Sequence, residues 1–498
     1  MTVATKEFLA SIDALSEKKK NEILTTEDCL TLEGSIIYLS EKGDDSNDGK
    51  SKETPIRTIE ALNKIDLEKG DAVLFERGGV FRGQVLTKAG VTYGAYGQGP
   101  KPKIYGYEEN LAGKEKWELV NAERNIWKFY KKTPDSGTLV FNDGEKHSIK
   151  LIPSFSRSGK FVLREDTGTE FDINLHMENN LDLFCNIREA LSEVPADRTD
   201  IFPVPIVTGT TGDLYLKCDG GNPGEIFRSI ELLPKRNTFE IKNNRDVHID
   251  NLCIKYCGAH GVGAVGQVDG LTVTNCEIGW IGGCIQGYSG SSAERCGTVT
   301  RYGNGVEIYG GCEKFVVDNC YIYQVYDAAI TPQMECHYKW NTIMRDMYFT
   351  NNLIEDCVYS IEYFMGRIKG TVSYIENFEI SNNIMRRSGY GFGSQRYNKD
   401  TPNHIMGWGW ENPAKDFRIV NNIFDTAAYK LLFIACSLPQ SLPTMSGNTY
   451  IQHENGLLGR FGANGLGGDE THVYDTDCES VIMDIFGDKE AKVYIIKS

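Results

Sequence analysis

Apolar residues in the second half of this chain fall in short alternating runs, and seven of those runs share one interruption. "VHIDNLCI", "LTVTNCEI", "FVVDNCYI", "MYFTNNLI", "FEISNNIM", "FRIVNNIF" and "TMSGNTYI" carry an amide at Asn251, Asn275, Asn319, Asn352, Asn383, Asn422 and Asn448. Alternation with period two predicts strands, and recurrence every 24 to 44 residues predicts a repeat architecture. The shortest interval is close to one turn of a β-solenoid. "GVGAVGQVDGLTVTN", ending at Asn275, and "GVEIYGGCEKFVVDN", ending at Asn319, match over their whole length without a gap. The longest interval is therefore one coil plus an insertion around "QGYSGSSAERCGTVTRY". In such a stack, equivalent positions lie about 4.8 Å apart. An Asn at the same bend of every coil can then bond to the Asn above and below, which satisfies amides too costly to bury singly. The expectation is one amide column running through all seven positions.

The remaining segments read differently. Residues 1–35 open with "MTVATKEFLASIDALSEKKKNEIL", a polar, helix-patterned stretch. Residues 36–106 begin with a strand and an acidic Gly-rich loop, "GDDSNDG", which lacks the terminal Glu of an EF-hand. Pro55 then opens a helix expected to run about ten residues and to cap the exposed edge of the first coil. From 107 to 235 the Asn repeat is absent, and alternating strands with Gly-rich turns predict an inserted β-rich, sandwich-like region with one helix in "LDLFCNIREALSEV". Residues 236–498 hold the main coils, the cleft and a C-terminal cap. The fold class is thus all-β: a right-handed parallel β-helix, or solenoid, with an N-terminal capping helix and an inserted subdomain.

Composition narrows the function. Gly is frequent (52) and Pro sparse (15), as in turn-rich β proteins. A net charge of −16 argues against nucleic acid or anionic membrane as partners and disfavours strongly anionic polysaccharides. No apolar run is long enough to span a bilayer, and no signal-peptide pattern opens the sequence, so the expectation is a cytoplasmic location or an exported protein whose signal has been removed. The 14 cysteines show no paired metal-ligand spacing and many sit inside apolar strands, as small buried hydrophobes in a reduced compartment do. No cofactor and no metal are expected, and a homo-oligomer is left open.

The opening "YLSEKGDDSNDGKSKETPIRTIEAL", the "GDAVLFERGGVFRG" that follows and the Asn-punctuated coils resemble the right-handed parallel β-helix proteins of the pectate-lyase-like superfamily. The likeness covers residues 36–106 and 236–460, and within the superfamily it is nearer to the β-helix glycoside hydrolases, some with an early inserted β-sandwich, than to pectate lyases. That resemblance implies a carbohydrate-active enzyme with a carbohydrate substrate. The aspartate cluster that binds calcium in most pectate lyases has no counterpart here.

Glycoside hydrolysis needs two carboxyl groups. Three occur in apolar strands on successive coils: Glu307 in "NGVEIYG", Asp327 in "YDAAITPQ" and Glu362 in "YSIEYF". A carboxylate there is costly unless paired or used. The favoured pair is Asp327 with Glu362, and Glu307 is the third member. Trp280, Tyr363, Trp408 and Trp410 offer flat apolar faces for sugar rings. His260, Gln333, Glu335, His337, Arg396 and His404 could bind hydroxyls or a carboxylate, and Glu411 is a further loop carboxylate. Insertions after Gly283, Gln333 and Arg396 are expected to wall the pocket. Two alternatives stay open: a polysaccharide lyase or uronate epimerase using Arg396, Lys369 or a Tyr as base, and a non-catalytic carbohydrate-binding solenoid.

Overall fold

A computed structural model describes residues 1–28, 30–155, 161–162, 169–187, 204–205, 209–242, 245–289, 298–334, 342–365, 373–396, 402–410, 413–436, 438–463 and 468–497. The chain is mostly β, and three long, almost wholly parallel sheets of 10, 11 and 10 strands dominate it. Successive strands visit them in fixed rotation. Arg245–Asp250 lies in sheet I, Cys253–Cys257 in sheet II and Val262–Val265 in sheet III, and Val268–Thr274 then returns to sheet I beside Arg245–Asp250. The same rotation recurs to Leu457–Ala463, consistent with a parallel β-helix. The two matched sequence segments pair residue for residue, Gly263 with Glu307 and Leu271 with Phe315. Val, Ile, Leu, Phe and Met from all three sheets fill one continuous core.

Two columns, one residue apart, replace the single amide column read from the sequence. Asn251, Asn275, Asn319, Asn351, Asn382, Asn421 and Gly447 all have positive φ and form the bend itself, a conformation that Asn and Gly tolerate best. The next residue of each coil points inward: Leu252, Cys276 and Cys320, then Asn352, Asn383, Asn422 and Asn448, all fully buried. The inner amides form a ladder. Each Nδ2 donates to the Oδ1 of the next coil at 3.0, 2.9 and 3.1 Å, and Asn448 ends it on Asp488 Oδ2 at 2.8 Å. The doubled Asn-Asn of "TNNLI", "SNNIM" and "VNNIF" conceals the one-residue offset.

Two helices flank the coils. Lys6–Leu24, capped by Thr5, follows a two-residue strand, Thr2–Val3, that pairs with the C-terminal strand Lys492–Ile496. It lies over sheet II, where Ile23 packs on Tyr321, Leu353 and Ile384 and Lys19 bonds to Asn319 at 2.7 Å. The helix after Pro55 is four residues, Ile59–Leu62, rather than ten. Its Ile59 and Leu62 join the core beside Phe81 and Val85, and Asn63 ends it by bonding the backbone of Gln84 and Leu86.

Three insertions leave the coils at the same corner, between sheets II and III. Residues 107–235 separate Lys103–Tyr105 from Phe239–Lys242 and form largely antiparallel sheets around a second core. The hairpin Cys284–Ser289 with Thr298–Tyr302 leaves at this corner two coils later, and its first strand pairs with Val204–Pro205 of the inserted region. The segment between Ile384–Ser388 and Asn403–Trp410 leaves there as well. Together these elements raise a wall along one side of sheet III.

Candidate active site

Alternation along the strands of sheet III decides which side chains meet this wall. In Val306–Tyr309, Val306 and Ile308 enter the core, so Glu307 points outward. In Tyr359–Met365, Ile361 and Tyr363 enter the core and Glu362 points outward. Glu307 pairs in register with Gly263 on one side and Thr331 on the other. Ile330 pairs with Ile361 and Gln333 with Phe364, which sets Thr331 beside Glu362 in turn. Glu307, Thr331 and Glu362 therefore form one outward column across three coils. Two inter-strand spacings put the Cα atoms of the two glutamates about 9.6 Å apart. All three side chains are nearly enclosed, at 6%, 0% and 7% exposure.

Each carboxyl has built neighbours. His260 Nδ1 lies 2.5 Å from Glu307 Oε2, and Asn304 Nδ2 donates to the same oxygen at 2.9 Å. The Asn304 backbone N–H donates to His260 Nδ1 at 3.1 Å. Asn304 Oδ1 accepts the Ala328 N–H at 2.8 Å, which ties the cluster to the next coil. Glu362 Oε2 accepts from Gln333 Nε2 at 2.9 Å.

Asp327 stands apart from this column. It occupies the corner just before the strand Ala328–Met334, and its carboxylate is ion-paired with Arg396, whose guanidinium also lies 5.4 Å from the centre of the Tyr359 ring. The sequence reading paired Asp327 with Glu362; the register instead aligns Glu307 with Glu362.

Several other expected contacts fall elsewhere. Trp280 is buried in the seam between the coils and the inserted region, against Tyr105, Tyr256, Tyr326 and Phe392, and presents no face to a sugar. Tyr363 lies inside the coils, packed edge-on against Phe378 and Phe417, because its neighbour Glu362 takes the outward position. His404 is also interior, and burial lowers its pKa to about 3. Its Nε2 donates to Thr426 O at 3.0 Å, and its Nδ1 accepts from the Ser360 hydroxyl, while Ser388 donates to Asn403 O. Trp408 and Trp410 belong to the sheet III strand Asn403–Trp410, Trp408 in register with Phe364, but their side chains lie outside the described residues, as do Glu335, His337, Lys369 and Glu411. Thr331 and Asn304 were missed. Carrying the gapless repeat one coil beyond Glu307 arrives at Thr331, and that alignment was the available signal.

Among the described residues, no three His, Cys, Asp or Glu side chains gather as a metal site, and no helix is long and apolar enough to cross a membrane. No known sequence family and no curated protein matches the chain. Several solved structures are similar. A lacto-N-biosidase of glycoside hydrolase family 136 from Eubacterium ramulus has a TM-score of 0.36 and 13% identity, over 98% of this chain and 71% of that one. A protein described as a glycoside hydrolase has a TM-score of 0.44 and 9% identity, over 93% and 96%. XylC, solved in complex with xylose, has a TM-score of 0.35 and 12% identity, over 92% and 82%. A rhamnogalacturonan lyase is more distant, with a TM-score of 0.21 and 11% identity. At such scores these likenesses carry no argument about activity.

Proposed function

We propose that this chain is a glycoside hydrolase, built on a right-handed parallel β-helix, that cleaves oligosaccharides or chain ends with Glu307 and Glu362. The observation that carries the reading is the outward column: two enclosed carboxyls on one sheet face, two coils apart, with a wall along one side. Glu307, held by His260 and Asn304, acts as the acid that protonates the leaving oxygen. Glu362, steadied by the Gln333 amide, acts as the base that activates water. A Cα separation of two strand spacings suits inversion, in which the carboxyls stand roughly 6.5–9.5 Å apart, better than retention, which needs them about 5–5.5 Å apart.

The test is a screen of aryl glycosides and plant oligosaccharides with the wild type, Glu307→Gln and Glu362→Gln. Each variant should keep the wild-type melting temperature and lose roughly 100- to 10,000-fold in kcat. Unchanged turnover in either folded variant would remove that residue from the mechanism. A product absorbing through a new C=C bond would favour a lyase instead.

A further inference from the structure

Sheet III carries a second outward column beside the carboxyls. Two residues on from Gly263, Glu307, Thr331 and Glu362 lie Val265, Tyr309, Gln333 and Phe364, which pair with one another in the same register. Val262, Ala264, Val306 and Ile308 enter the core, so Val265 and Tyr309 point outward like Glu307. Val265 is 53% exposed and Tyr309 is half-buried. Side by side they make an apolar strip about 7 Å along the strands from the carboxyl column.

The two ends of the carboxyl column differ. Beyond Glu307 comes Gly263, which raises no side chain, and the Asn237 amide fills the place a Cβ would take. Glu240 follows, its carboxyl meeting the Asn237 amide at 2.7 Å and the exposed Lys242 ammonium at 3.5 Å. Beyond Glu362 come Met406 and Phe433, which offer no hydrogen bond to a hydroxyl. A sugar site needs an apolar face and a few convergent polar groups. Among the described residues of these two columns, the Glu307 end has both.

We infer that Val265 and Tyr309 form the platform for the leaving-group sugar, an assignment that rests on the reading of Glu307 as acid and Glu362 as base. The acid stands on the leaving oxygen's side of the reacting sugar and the base on its opposite face. The bond that breaks therefore points from Glu362 toward Glu307, and the released sugar lies past Glu307, over Gly263. There its C–H face rests on Val265 and Tyr309, and its edge hydroxyls reach Glu240 and Lys242. These residues determine specificity, since they touch the leaving sugar and not the reacting atoms.

The test compares kcat/KM on an oligosaccharide that the wild type cleaves with kcat/KM on the glycosyl fluoride of the same reacting sugar. Fluoride fills no sugar site beyond Glu307, and any loss of folded protein cancels in the ratio of the two. Tyr309→Ala should lower that ratio about tenfold or more and Val265→Ser about threefold, whereas Tyr309→Phe, which keeps the ring, should stay near the wild type. Phe364→Ala, at the Glu362 end, should leave the ratio unchanged. A wild-type ratio in Tyr309→Ala, or a fall in Phe364→Ala instead, would overturn the assignment. Fluoride departs without a proton, so Glu307→Gln should lose the oligosaccharide and keep the fluoride. If it does so while Tyr309→Ala holds the wild-type ratio, only the platform fails. If Glu307→Gln cleaves the oligosaccharide at the wild-type rate, the underlying reading fails.

Discussion

His404 shows how a candidate binding histidine becomes part of the interior. Enclosure disfavours its cation, and the Ser360 hydroxyl and the Thr426 carbonyl suit the neutral ring. Its pKa falls from 6.5 to about 3. Between those values the unfolded chain holds a proton that the folded chain does not, so stability falls as pH drops from about 6.5 toward 3. Melting temperatures of the wild type should decline more steeply across this window than those of His404→Gln. Parallel slopes would show that His404 takes up its proton without unfolding. Tyr363 and Trp280 fail as sugar platforms for a related reason. Composition shows that an aromatic is present, but alternation beside Glu362 and the arrival of residues 107–235 decide whether its face is free.

The bend illustrates what a repeated element hides. "NN" places one amide at positive φ and the next inside the coil, and the two do different work. Asn422 bonds to both neighbours of the ladder, whereas Asn421 serves mainly the backbone conformation. Asn422→Leu removes the oxygen that accepts both the Asn383 backbone N–H and one Nδ2 hydrogen of Asn383, and should cost about 3 kcal/mol. Asn421→Gly, at φ +56°, should cost less than about 1 kcal/mol. Thermal unfolding of the two variants compares them directly, and equal losses would mean that the inner amides contribute no more than the turn. The repeat itself was legible because the hydrophobic period and the gapless pair of segments fix which residues stack. The offset within it was not, because Cys276 and Cys320 fill the inner position in earlier coils and Asn there looks like a continuation of the outer column.

Across the whole chain, a mostly β protein with long parallel sheets was legible in the repeat. The sequence did not show that three insertions leave at one corner, or that Asp327 sits at that corner while Glu307 and Glu362 share a column. Those facts depend on where a strand starts relative to a bend, and one residue of shift exchanges an inward for an outward side chain. A net charge of −16 disfavours polyanions as partners. The measurement that bears most directly on the account is the anomeric configuration of the first product, followed by proton NMR before mutarotation with any glycoside the chain cleaves. Attack by water seated between Glu307 and Glu362 predicts the anomer opposite to the substrate. A first product with the substrate's own configuration would require a covalent sugar–enzyme intermediate and would contradict the column as the catalytic pair.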